Sequence, residues 1–144
     1  MVGQSLNIFA DGGARGNPGP AAIGFVVKDE KGNILAKVGK AIGKATNNVA
    51  EYTAVLEALG WVEENARMFK CSNVQINFFL DSKLVVNQLN GLYKIKNAKL
   101  RNLIIEIREK EMALGQKILY EHIGRNKNTI ADLLVNSALE KPLS

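Results

Sequence analysis

The order in which hydrophobic periodicity changes along the chain constrains its fold more than any other feature. Residues 7–10, 21–27 and 34–39 are short, apolar, strand-like runs, and all three precede residue 46. Gly and Pro dominate DGGARGNPGP at 11–20, which reads as a loop, with Asp11 closing the first strand. KDEKGN at 28–33 reads as the turn of a β-hairpin. Beyond residue 46 the period switches. Residues 47–64 place Val49, Tyr52, Val55, Leu56, Leu59 and Val62 at helical spacing. Residues 74–80 alternate Val74, Ile76, Phe78 and Leu80 on one face of a strand. Helices are then expected at 83–89 and 98–114, a strand at 118–122 and a last helix at 129–139.

Three consecutive strands pair readily as an antiparallel meander, whereas strands separated by helices join in parallel through right-handed crossovers. The order β-β-β-α-β-α-α-β-α therefore predicts an α/β fold, a five-stranded mixed sheet flanked by helices. A chain of 144 residues is long enough to bury one sizeable core, so the expectation is a single domain over 1–144. The single cysteine, Cys71, excludes an internal disulfide and a zinc site of several thiolates, and it reads as a structural or bystander thiol. No apolar run approaches the roughly 18 residues of a membrane span. The start, MVGQSLNIFADGG, has neither the basic lead nor the apolar core of a signal peptide. A soluble, cytoplasmic protein without membrane partners is expected.

The formal charge of +5 is concentrated in the second half. Residues 1–72 hold 8 Lys and Arg against 7 Asp and Glu, and residues 73–144 hold 11 against 7. Lys83, Lys94, Lys96, Lys99 and Arg101 fall in an interval, 82–105, that contains no acidic residue. Such a run is either a solvated face or a surface for an anionic partner.

Four acidic residues sit where different elements can converge: Asp11 after the first strand, Glu51 early in the long helix, Asp81 after the fourth strand, and Asp132 early in the last helix. In sheets with crossover helices, ligands gather outside the strand ends. Carboxylates gathered there repel one another, and a hard divalent cation such as Mg²⁺ removes the conflict. Each position also has a local alternative. Asp11 can cap a turn, Asn48-x-x-Glu51 has the form of a capping box, Asp81 can be an N-cap, and Asp132 suits a helix N-terminus.

Four blocks, DGGARGNPG at 11–19, TNNVAE at 46–51, FLDSKLVV at 79–86 and HIGRNKNTIAD at 122–132, occur in the order and on the elements of a known family. With them the chain resembles ribonuclease H, type 1 branch, from about residue 7 to 139. The resemblance implies the ribonuclease H-like fold and hydrolysis of the RNA strand of RNA–DNA hybrids, leaving 5′-phosphate and 3′-hydroxyl ends. It implies two Mg²⁺ ions with substrate, Mn²⁺ as a substitute, and metal-binding roles for Asp11, Glu51, Asp81 and Asp132. His122, ten residues before Asp132, matches the family's mobile histidine, which assists proton transfer or product release. Gly12, Gly13 and Asn17 fall in the loop that reads 2′-hydroxyls. Asn47 and Asn48 match the pair that bridges the two strands. Thr46, Asn97 and Lys44 resemble a pocket for a DNA-strand phosphate. A monomer is expected, and double-stranded RNA stays open as a second substrate.

The chain departs from well-studied bacterial members in three ways. NGLYKIKNAKL is short and lacks the tryptophan of their basic protrusion, Arg125 stands where many have a second histidine, and Gly13 where many have serine. A binding module that kept the fold without activity is disfavoured by the presence of all four carboxylates and the histidine. An integrase-like polynucleotidyl transferase fits the NN-x-x-E block poorly.

Overall fold

A computed structural model describes residues 4–68 and 73–140, and Cys71 lies outside them. The described elements are β1 (Gln4–Ala14), β2 (Gly19–Asp29), β3 (Ile34–Ala45), α1 (Asn47–Glu64), β4 (Val74–Leu80), α2 (Lys83–Leu89), α3 (Ala98–Leu114), β5 (Lys117–His122) and α4 (Thr129–Glu140). The five strands form one sheet in the order β3-β2-β1-β4-β5. β1 pairs antiparallel with β2, and β2 with β3; β1 pairs parallel with β4, and β4 with β5. This is the mixed sheet expected from the order of periods.

Alternation along the strands decides which face is covered. Leu6, Ile8 and Ala10 of β1, and Val74, Ile76, Phe78 and Leu80 of β4, are buried in one core. Tyr52, Val55, Leu59 and Val62 of α1 and Leu100 and Ile107 of α3 belong to the same core. α4 packs on the opposite face, where Val135 and Ala138 meet Ala22 of β2. β2 is consequently buried on both faces, which accounts for its unbroken small and apolar run from Ala21 to Val27. Gly24 lets α4 approach this closely: a Cβ there would lie 2.6 Å from the Ala131 carbonyl oxygen and 2.8 Å from Leu134 Cβ.

Two boundaries differ from the reading of local composition. Residues 11–14 are not part of a loop; β1 continues through them, with Asp11 opposite Gly24 and Ala14 opposite Ala21. The connection to β2 is therefore confined to 15–18. Asp11 accordingly lies inside its strand and does not close it. Gly12 serves a close approach and not a turn, since a Cβ on it would lie 2.2 Å from the Ala50 carbonyl carbon. β3 likewise runs on past Gly39 to Ala45, with a register shift near Ala21 and Ala22 that coincides with the positive φ of Gly43.

Candidate active site

Adjacency of β1 and β4 brings the first two carboxylates together. The parallel register pairs Phe9 with Phe79, and these rings stack at 4.8 Å between centroids. Two residues further on stand Asp11, still within β1, and Asp81, just past the end of β4. α1 crosses directly over Gly12 and delivers Glu51 from its first turns. One oxygen of each of Asp11, Glu51 and Asp81 lies within 4.8 Å of the others. Asp132, in the first turn of α4, lines the same cleft of about 270 Å³ without joining that close group.

Two of the local alternatives, the capping roles of Glu51 and Asp81, are not taken up. Thr46 caps α1, its Oγ1 accepting from Val49 N at 3.2 Å, so Asn48 and Glu51 do not form a capping box. Ser82, not Asp81, caps α2 by accepting from Val85 N at 3.3 Å. Both carboxylates are thereby left free of helix-capping duty.

Burial and mutual repulsion perturb this cluster. Burial, then the charges of Asp81, Asp132 and Glu51, push the Asp11 carboxyl up to about 7, against one opposing bond from Gly12 N–H to its Oδ1 at 3.0 Å. Burial likewise raises Glu51 to about 7; the nearby Asp81 charge adds to this, while the Ser82 hydroxyl and Arg125 oppose it. Glu51 Oε2 is buried with no hydrogen-bond partner among the described residues. Three convergent carboxylates with an unpartnered buried oxygen are the donor set of a hard, oxygen-loving divalent cation, whose charge would lower both carboxyl groups toward ionisation. The residues present fit such an ion.

Beside the cleft lies a second groove of about 640 Å³, lined by Asn17, Lys44, Thr46, Asn47, Asn48 and Asn97, together with Lys99. Three of its carboxamide oxygens, those of Asn17, Asn47 and Asn97, are already engaged. Asn17 Oδ1 accepts from Asn47 N at 3.0 Å and Asn47 Oδ1 from Ala14 N at 2.8 Å, which ties the 15–18 connection to the start of α1. Asn97 Oδ1 caps α3 by accepting from Lys99 N and Leu100 N at 2.9 and 3.1 Å. With oxygens committed inward, each of these side chains has its NH₂ donors left for a ligand.

The model for the family described as "Reverse transcriptase-like" matches residues 9–138. Ribonuclease HI of Halobacterium salinarum is 38% identical over 139 residues, covering 96% of this chain and 66% of that protein. LC11-RNase H1, solved in complex with an RNA/DNA hybrid, is 42% identical with a TM-score of 0.87, over 96% of this chain and 99% of that one. The N-terminal RNase H domain of Rv2228c from Mycobacterium tuberculosis is 38% identical with a TM-score of 0.82, over 94% of this chain and 99% of that one. The chain belongs to the ribonuclease H family. It spans 35% of the length of the curated mycobacterial relatives it matches, Bifunctional protein Rv2228c among them.

Measured against the ribonuclease H expectations, the structure gathers Asp11, Glu51, Asp81 and Asp132 in one cleft, and Asn17, Lys44, Thr46, Asn47, Asn48 and Asn97 around one groove. Gly12 and Gly13 line the cleft, but Gly12 is buried and its N–H is turned to Asp11. Gly13 has room for the serine of other ribonucleases H, since a Cβ there meets only Val135 Cγ1 at 3.7 Å. His122 is not among the residues lining the cleft: it is exposed at the end of β5, opposite Leu80. Arg125 does line it. Two residues escaped the sequence reading. Lys99 was visible only as part of the basic run, and Asn128, buried beside Asp81, carries no local signal. Among the described residues no helix is long and apolar enough to cross a membrane.

Proposed function

We propose that this chain is an endoribonuclease that hydrolyses the RNA strand of RNA–DNA hybrids with Mg²⁺, for which Mn²⁺ can substitute. The observation that carries this reading is the convergence of Asp11, Glu51 and Asp81 within 4.8 Å, beside a groove edged with amide donors and lysines. The similarity to LC11-RNase H1, solved with an RNA/DNA hybrid, supports the same substrate.

Hydrolysis of a phosphodiester needs its charge neutralised and a water activated in line with the leaving oxygen. Divalent ions supply Lewis acidity for both requirements when bound. Asp11, Glu51 and Asp81 would hold one ion, and Asp132 with Asp11 a second. The products are a 5′-phosphate and a 3′-hydroxyl. His122, exposed at the end of β5, takes part in proton transfer or product release. Asn17, Asn47 and Asn48 offer donors to the minor groove, where the 2′-hydroxyl distinguishes RNA from DNA. Thr46, Lys44, Asn97 and Lys99 hold a phosphate of the DNA strand. The exposed Lys83, Lys94, Lys96 and Arg101 follow the backbone, so binding weakens with salt.

The test is cleavage of matched RNA/DNA, RNA/RNA and DNA/DNA duplexes in Mg²⁺ and in Mn²⁺, by the wild type and by Asp81→Asn. The expected result is cut RNA in the hybrid and its loss in the variant. The RNA/RNA arm decides whether double-stranded RNA is a second substrate. Robust cleavage by Asp81→Asn, or equal cleavage of DNA/DNA, would refute the reading.

A further inference from the structure

Asn128 immediately precedes α4 and is buried to 1% exposure. A carboxamide is expensive to bury unless both of its ends are hydrogen-bonded. Its Nδ2 donates to the Ala10 carbonyl oxygen at 2.9 Å and to Asp81 Oδ2 at 3.3 Å. Its own backbone oxygen accepts from Asp132 N at 3.1 Å. One residue thus links the strand that carries Asp11, the carboxylate that follows β4, and the helical turn that carries Asp132. Its Oδ1, by contrast, is buried with no partner among the described residues. A side chain kept for packing alone would be satisfied at both ends or replaced by an apolar one. An orphaned acceptor beside a carboxylate is instead suited to a donor that comes from outside the protein.

We propose that Asn128 is a positioning residue of the cation site: its amide fixes the orientation of Asp81, and its free oxygen accepts from a water that a bound cation brings. The inference rests on the carboxylate cluster being a metal centre. Hydrogen bonds to ionised groups are the strong ones, and they hold a carboxylate in the rotamer it needs as a ligand. No other side-chain hydrogen bond to Asp81 is seen among the described residues, so the effect of losing Asn128 should appear in metal affinity as well as in rate.

Calorimetric titration of Mn²⁺ into the folded protein tests this, with wild type and Asn128→Ala compared at one temperature and pH. The dissociation constant for Mn²⁺ is expected to rise by about 10-fold, the usual lower bound for losing an outer partner of a metal ligand. Affinity for an RNA/DNA hybrid in chelator should stay unchanged, because Asn128 does not line the substrate groove. A merely structural role would lower the melting temperature in chelator and leave the Mn²⁺ constant where it was; that result overturns the proposal. Asn128→Thr, close to asparagine in volume but unable to bond both acceptors, serves if the alanine variant does not fold, with the same expected rise. A wild type that takes up no Mn²⁺ would overturn the metal centre itself, which separates that failure from the failure of Asn128's role.

Discussion

Asp11 is held with its carboxyl at about 7 where the ordinary value is 3.8, so the metal-free fold strains against its own carboxylate cluster at neutral pH. The folded state keeps the proton between those two values while the unfolded chain has released it. Stability contributed by that proton is complete below pH 3.8 and is lost as pH rises through about 7. At about 1.36 kcal/mol per pH unit the whole interval corresponds to about 4 kcal/mol. Partial exposure of Asp11, and relaxation of the neighbouring carboxylates, reduce the expected net effect to about 1–2 kcal/mol. Asp11→Asn keeps the shape and removes the ionisation. In chelator at pH 8 the variant should therefore melt about 3–8 °C above wild type. By pH 5 the gain should shrink by more than half, because only the short interval above 3.8 then remains. Divalent cation should raise the melting temperature of wild type at pH 8 and that of the variant far less. Scanning calorimetry in EDTA and in Mg²⁺ across pH 5–8 measures all three. A variant no more stable than wild type at pH 8, or a gain of equal size at pH 5, would refute the electrostatic reasoning.

Three other outcomes are expected. Gly12→Ala places a methyl 2.2 Å from the Ala50 carbonyl carbon, so α1 must shift and carry Glu51 with it; denaturant melts should show a loss of about 3 kcal/mol or more, and hybrid cleavage should collapse. Asn97→Ala removes the cap of α3 and, on the proposed function, a phosphate donor; a stability loss of about 1 kcal/mol should accompany a raised KM with little change in kcat, and an unchanged KM would remove Asn97 from the groove's function. His122→Ala should slow multiple-turnover cleavage while hybrid affinity in chelator stays constant, and full turnover would reject its role.

The helices and strands were legible because hydrophobic periodicity is a local signal: one residue in two or four meets the core whatever lies beyond it. The four carboxylates were legible as candidates because the pattern put each beside an element boundary, although for Asp11 the strand in fact runs on to Ala14. The glycines after Asp11 were misread. A glycine in a turn and a glycine pressed under a helix look alike in sequence, and only the passage of α1 over Gly12 tells them apart. The capping roles of Thr46 and Ser82 turned on a register of one or two residues, and choosing them over Asn48 and Asp81 is what frees the acidic side chains. Asn128 was invisible because its partners, Ala10 and Asp81, lie 118 and 47 residues away.

By itself, then, the sequence determined the succession of elements, the mixed pairing that this succession permits, and the kinds of side chain available for phosphate and metal chemistry. These depend on near neighbours and on residue chemistry, both of which are written locally. Tertiary structure alone decided that Asp11 lies within its strand, that three carboxylates converge while Asp132 stands apart, that His122 is exposed outside the cleft, and that a buried amide grips Asp81. Each of these is a matter of distances of a few ångströms between segments far apart in the chain. Such distances are set by how closely a helix can settle on a sheet, here by the absence of a Cβ at Gly12 and Gly24.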